Sequence, residues 1–416
     1  RSNMSVTGRG GSTGLAASNN NQGIAVTANA LISSHGGSAA SGAITLDGTG
    51  ANGEDGNSGI LITSSTLLSD YGTILLTGRG GSNGIADSNA NYGIVLNTGT
   101  TITSNGSGAN AARVTLDGTG GAGEDTNYGI LVTGAGTKIT SQDGAIALTG
   151  RGSTTAFDDN NEGIRVELDA DITSTGTTND AASITINGTG ALADDTNRGV
   201  DITGAGTTIS AQRGAISIIG QGGTNGLAAS NQNYGVQIQS SAVVSTAGGA
   251  GQAGTITIQG TGGNGEDNNH GILVDTNALI TSDKGNISLT GQGGSNGIAG
   301  SNLNVGVDVE GASTIESTGA GATAARITLN GTGGRGEDTN YGVMVSGAGT
   351  RVRSQDGDIT FTGRGSATAF DDNNNGIQIE LDADIQSTGA TLDAADIIMN
   401  GTGALADDAN RGVQIT

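Results

Sequence analysis

The chain has 416 residues, 79 of them glycine, none proline or cysteine, and a formal net charge of −23. Charge of that sign disfavours nucleic acid, whose phosphates need a basic surface, and favours solubility and cations. The missing cysteines exclude a disulfide framework and thiolate metal sites, the lack of a three-residue glycine period excludes collagen, and no apolar run is long enough to span a membrane.

From the N-terminus onward one pattern recurs: Asp or Asn, any residue, Asn, any residue, Gly, then Ile or Val. Its glycines are Gly23, Gly59, Gly93, Gly129, Gly163, Gly199, Gly235, Gly271, Gly306, Gly342, Gly376 and Gly412, at spacings of 34 to 36 residues. A fixed period of this length marks a repeat architecture, in which each unit buries its apolar face against its neighbours.

Each unit reads as three short strands. In the one opening at Gly129, Ile130 and Val132 point inward and Leu131 outward. After the turn Gly134-Ala135-Gly136, Ile139 is inward in the second strand, and after Gln142-Asp143-Gly144, Ile146 and Leu148 are inward in the third. Gly150-Arg151-Gly152 then opens a polar loop to the next motif. Units ending in Gly-Arg-Gly or Gly-Gln-Gly (Gly8, Gly78, Gly150, Gly220, Gly291, Gly363) alternate with units ending in Gly-Thr-Gly (Gly48, Gly118, Gly188, Gly260, Gly331, Gly401). Above this lies a six-unit block: Phe157-Asp158-Asp159-Asn160-Asn161 returns 213 residues later as Phe370-Asp371-Asp372-Asn373-Asn374. The expected fold is all-β: a right-handed parallel β-helix, or β-solenoid, of about twelve coils, one continuous repeat region over residues 1–416. The absence of proline suits a chain that is strand nearly everywhere. Opening and closing in mid-unit, it reads as an interior piece of something longer.

Two columns of residues follow from the stacking. The motif asparagines Asn21, Asn57, Asn91, Asn127, Asn161, Asn197, Asn233, Asn269, Asn304, Asn340, Asn374 and Asn410 should align along the rod. Asparagine tolerates left-handed turns, bonds neighbouring backbone and forms amide ladders. Two residues earlier lies a second column, always Asp or Asn, in which carboxylates become consecutive twice. Stacked near 5 Å, such carboxylates need a counterion, and Ca²⁺ with its six to eight oxygen ligands is the expected one. The candidate ligands are Glu124, Asp125, Asp158, Asp159, Asp194 and Asp195, then Glu337, Asp338, Asp371, Asp372, Asp407 and Asp408. No other cofactor is expected.

The residue before the motif glycine varies (Tyr92, Tyr128, Glu162, Arg198, Tyr234, His270, Tyr341, Arg411) and is expected to face solvent. There Glu162 would form a weak cross-coil ion pair with Arg198, and tyrosines could stack or hold sugar rings. No off-pattern cluster of catalytic residues stands out, and the two histidines, His35 and His270, occupy different unit positions, so no enzyme is expected.

The recurring Asn-Tyr-Gly-Ile-Leu-Val, Ile-Thr-Ser and Gly-x-Ile-x-Leu-Thr-Gly text resembles the repeat regions of filamentous-haemagglutinin-like and related β-strand-repeat bacterial exoproteins. That resemblance implies a right-handed β-helix stalk, exported to the cell surface or matrix, acting in adhesion or as a filament, with self-association or cell-surface and glycan contacts as its partners. Other readings are a β-helix that binds or cleaves polysaccharide, and a Ca²⁺-dependent matrix or surface-layer component.

Overall fold

A computed structural model describes residues 2–416 except 12–18, 37–40, 82–87, 154–158, 224–229, 249–252, 295–299, 367–371, 390–393 and 406–408. Among the described residues every regular element is a strand, and all strands belong to three parallel sheets of twelve, twelve and eleven strands. Sheet A holds the six-residue strands, such as Val114–Thr119 and Ile146–Arg151. Sheet B holds those after the motif glycine, such as Ile130–Thr133 and Ile164–Glu167. Sheet C holds the strands between, such as Lys138–Ser141 and Asp171–Ser174. Every third strand enters the same sheet, so the chain winds as a β-solenoid.

The register puts like on like. Ile130 lies between Ile94 and Ile164, and Val132 between Leu96 and Val166. In sheet C, Ile139 lies between Ile102 and Ile172; in sheet A, Leu148 lies between Leu116 and Ile186. These aliphatic columns are fully buried and form one continuous core inside the three sheets. Period-2 alternation explains the arrangement: a one-residue slip would turn every buried side chain of a strand outward.

The strand of sheet A runs further than the sequence suggests. Gly150 and Arg151, read as the start of a loop, stay in the ladder and pair with Gly118 and Thr119 on one side and Gly188 and Thr189 on the other. After Thr119, where the loop is described throughout, the chain makes an excursion and returns at Gly129 beside the strand it left; Gly163 stands in the same way beside Gly150. A Cβ on Gly150 would stand 2.2 Å from the carbonyl oxygen of Gly163. Two of the repeat's three invariant glycines therefore face each other across one pinch, where only a hydrogen fits.

At the far end of the excursion the backbone turns left-handed. The residue between the two Asx columns has a φ between +53° and +69° in all twelve motifs, from Asn20 to Ala409. The left-handed residue is thus not the motif asparagine, as its turn propensity suggests, but its predecessor. Glycine takes this place once, at Gly56; elsewhere it is Asn, Gln, Leu, Ala or the β-branched Thr126, Thr196 and Thr339. An L-residue held there costs about 1–2 kcal/mol. Thr339→Gly should therefore raise stability by about 0.5–1 kcal/mol after the extra unfolded-state entropy of glycine is subtracted. Thr119→Gly, in a strand, should lower it by a similar amount. A lower urea midpoint for Thr339→Gly would contradict the assignment.

Candidate functional site

The kink between the two Asx residues turns their side chains in opposite axial directions. In the asparagine column each backbone N–H donates to the Oδ1 of the asparagine one coil ahead: Asn91 to Asn127, Asn127 to Asn161, Asn161 to Asn197. All eleven steps from Asn21 to Asn410 are bridged this way, at 2.7 to 3.0 Å. The amide nitrogens mostly reach backbone carbonyls, as Asn161 Nδ2 does at the carbonyl of Glu124 and Asn374 Nδ2 at that of Glu337. Direct amide-to-amide bonds join Asn127 to Asn161 and Asn340 to Asn374. The asparagines from Asn57 to Asn374 are fully buried, so each bond also satisfies a group that water cannot reach.

The other Asx column runs the opposite way. Here the backbone N–H donates to the Oδ1 of the residue one coil behind, as Asp159 does to Asp125, Asp195 to Asp159 and Asp372 to Asp338. Asp and Asn are interchangeable in this duty, since both present Oδ1; Asp125 itself donates to Asn89. Of the residues expected to hold Ca²⁺, Asp125, Asp159, Asp195 and Asp338 are therefore placed with one carboxylate oxygen on backbone, while Asp372 gives its own N–H to Asp338. Glu124, Asp194 and Glu337 lie beside them and their carbonyls accept from ladder amides or serines. Asp158, Asp371, Asp407 and Asp408 fall outside the described residues. Among the described residues no three acidic or histidine side chains converge on one point.

Most of the residues before the motif glycine do not face solvent. Tyr128, Glu162, Tyr234, His270 and Tyr341 are buried, while Arg411 is exposed. The outward side chains three residues on are buried with them, among them Val95, Leu131, Asp201, Leu273, Asp308 and Met344. The outer face of sheet B is thus a second, narrower interior, with apolar clusters around Tyr128 and Leu131 and around Val305, Tyr341 and Met344. Tyr92 does meet Tyr128, at 5.3 Å between ring centres.

Between these clusters sits a charged one. Glu162 contacts Arg198 at 2.9 Å and Arg165 at 3.0 Å; Arg165 also contacts Asp201 at 3.0 Å and Glu167 at 2.6 Å. Arg165 lies over the Tyr128 ring and Arg198 over the Tyr234 ring, with Tyr234 stacked flat on His270. The expected exposed Glu162–Arg198 pair is thus part of a larger, mostly buried network that also holds Glu167 and two groups not expected there, Arg165 and Asp201. Their signal was present: adjacent units carry opposite charges at both of these offsets. Further along, His270 Nδ1 accepts from the Val305 N–H and Nε2 faces Asp308 at 3.6 Å. Burial pushes the His270 imidazole down to about 3, so it stays neutral, and pushes the Asp308 carboxyl well up.

Three carboxylates face two guanidiniums in the Glu162 network, so one negative charge is in excess. Burial, then the nearby Asp201, pushes Glu162 up to about 7 from an ordinary 4.5. The folded value lies above the unfolded one, so this group's contribution is complete below about pH 4.5 and is lost as the pH rises through about 7. Glu162→Gln keeps the acceptor for Arg198 and removes the titration. Stability measured by urea unfolding from pH 5 to 8 should decline less in the variant; parallel curves would contradict this protonation.

No family model, curated protein or solved structure matches the chain.

Proposed function

We propose that this chain is a stiff structural segment of an extracellular surface rod, a right-handed solenoid of twelve coils whose task is to span distance and present what is attached to it. The observation that carries this reading is the unbroken run of buried asparagine bridges from Asn21 to Asn410. Each backbone N–H on that line from Asn21 to Asn374 is committed to the asparagine one coil ahead, which suits a girder rather than a catalyst. The text shared with β-strand-repeat exoproteins supports the surface location and a role in adhesion or self-association. At about 4.8 Å per coil the segment would be on the order of 55 Å long. Electron microscopy of the purified chain should show straight rods of constant width. Bent or compact particles would remove the reading, and labelling of intact cells that never reaches the chain would remove the surface location.

A further inference from the structure

The outward face of sheet A changes character between the two halves of the chain. In the first half Asp47, Arg79, Asp117 and Arg151 sit on successive strands, with Arg79 3.8 Å from Asp47 and Arg151 3.2 Å from Asp117. The residues 212 or 213 positions after Asp47, Arg79 and Asp117 are Gln259, Gln292 and Asn330. The strand register is the same: Asp47 and Asp117 flank Thr77, and Gln259 and Asn330 flank Thr290. Three of the four charges have become amides; the fourth is kept, since the residue 213 positions after Arg151 is Arg364, on the next strand beside Thr332. The three amides are exposed, and none makes a side-chain hydrogen bond to another described residue. Between them lies an open depression of about 340 Å³, completed by Thr261, Thr290 and Thr332, with Gly260 and Gly291 in its lining.

We infer that this depression binds a neutral, β-linked glycan laid along the rod axis. Every side chain lining it is an amide or a hydroxyl, and each of these both donates and accepts. Adjacent equatorial hydroxyls on a pyranose ask for that combination. No charged side chain lines it, and a net charge of −23 repels polyanionic chains, so neutral glycans are selected over uronates. Gln259 and Asn330 stand two strands apart, about 9.6 Å, close to the length of one disaccharide. The lining residues lie on three successive strands, so the depression crosses the strands in the direction of the rod axis. With no aromatic ring in its lining, affinity should be modest, with a Kd of about 0.1–1 mM.

The test is isothermal titration of the whole chain with cellohexaose and, separately, with hexagalacturonate. Cellohexaose should bind, and hexagalacturonate should bind at least about tenfold more weakly. The double variant Gln259→Asp with Gln292→Arg rebuilds the pair that Asp47 and Arg79 already form on the same fold, and should weaken cellohexaose about tenfold with an unchanged circular dichroism spectrum. Asn330→Asp, at a single exposed position, should weaken it too and serves if the double variant misfolds. Absence of cellohexaose binding at about 1 mM, a preference for hexagalacturonate, or undiminished affinity in a folded variant would each overturn the site.

Discussion

Replacing Gly118 by alanine should open the solenoid at the junction of sheets A and B. A Cβ there would stand 2.1 Å from the Gly129 carbonyl oxygen and 2.7 Å from Ile130 Cγ1. Neither neighbour can withdraw. A Cβ on Gly129 would in turn meet the Arg151 nitrogen at 2.3 Å and the Gly163 carbonyl oxygen at 2.5 Å, so the next coil already closes the other side. The same opposition, at 1.8 to 2.2 Å, recurs in every coil from Gly8 facing Gly23 to Gly401 facing Gly412. The methyl can be accommodated only by parting the strands, at a cost of more than about 3 kcal/mol. Because each coil contacts only its neighbours, the damage should stay local. It should therefore be read by hydrogen exchange in Val114–Thr119 and Ile130–Thr133 as well as by the urea midpoint. Gly11→Ala, which would meet nothing within 4 Å, should change stability by less than about 0.5 kcal/mol. Equal protection in the two variants would show that the pinch does not constrain the fold.

Arg198→Met should be the most damaging single substitution among the charged residues. It leaves Glu162 and Asp201, both fully buried, with Arg165 as their shared counterion. Removing one partner from a buried network strands a charge and costs about 3–5 kcal/mol. Arg151→Met breaks a pair of similar length, yet its side chain is 53 % exposed where that of Arg198 is 11 % exposed. Its loss should cost under about 1 kcal/mol. Replacing Glu162, Arg165, Arg198 and Asp201 together by apolar residues of similar volume should recover most of what Arg198→Met loses, since the neighbouring clusters on this face are already apolar. The comparison is urea unfolding with exchange protection in Val200–Thr203; similar losses for Arg198→Met and Arg151→Met would mean that burial of this face confers nothing.

Much of the design was legible in the chain. The inward positions of Ile130, Val132, Ile139, Ile146 and Leu148 follow from alternation, and their stacking from the fixed period. The asparagine column was legible as a position but not as a bonding scheme, because one cannot see from spacing that its Oδ1 faces backward along the rod while that of the aspartate column faces forward. The left-handed residue was misplaced for a related reason. Turn propensity ranks Asn127 above Thr126, yet the two ladders need the kink between them, and packing over-rules the propensity of threonine.

The amino-acid sequence by itself determined the period, the three-strand unit and the identity of the core columns, because alternation and repetition act between near neighbours and between equivalent positions. Only the tertiary structure decided which outward residues are buried. Glu162, before its strand, and Asp201, within one, read as surface groups and become interior only when coils 34 to 36 residues apart bring Tyr128, Arg198 and Tyr234 to the same face. The tertiary structure likewise turned Gly118 and Gly129 from turn residues into a single point of backbone contact, since the excursion between them returns to its own starting place.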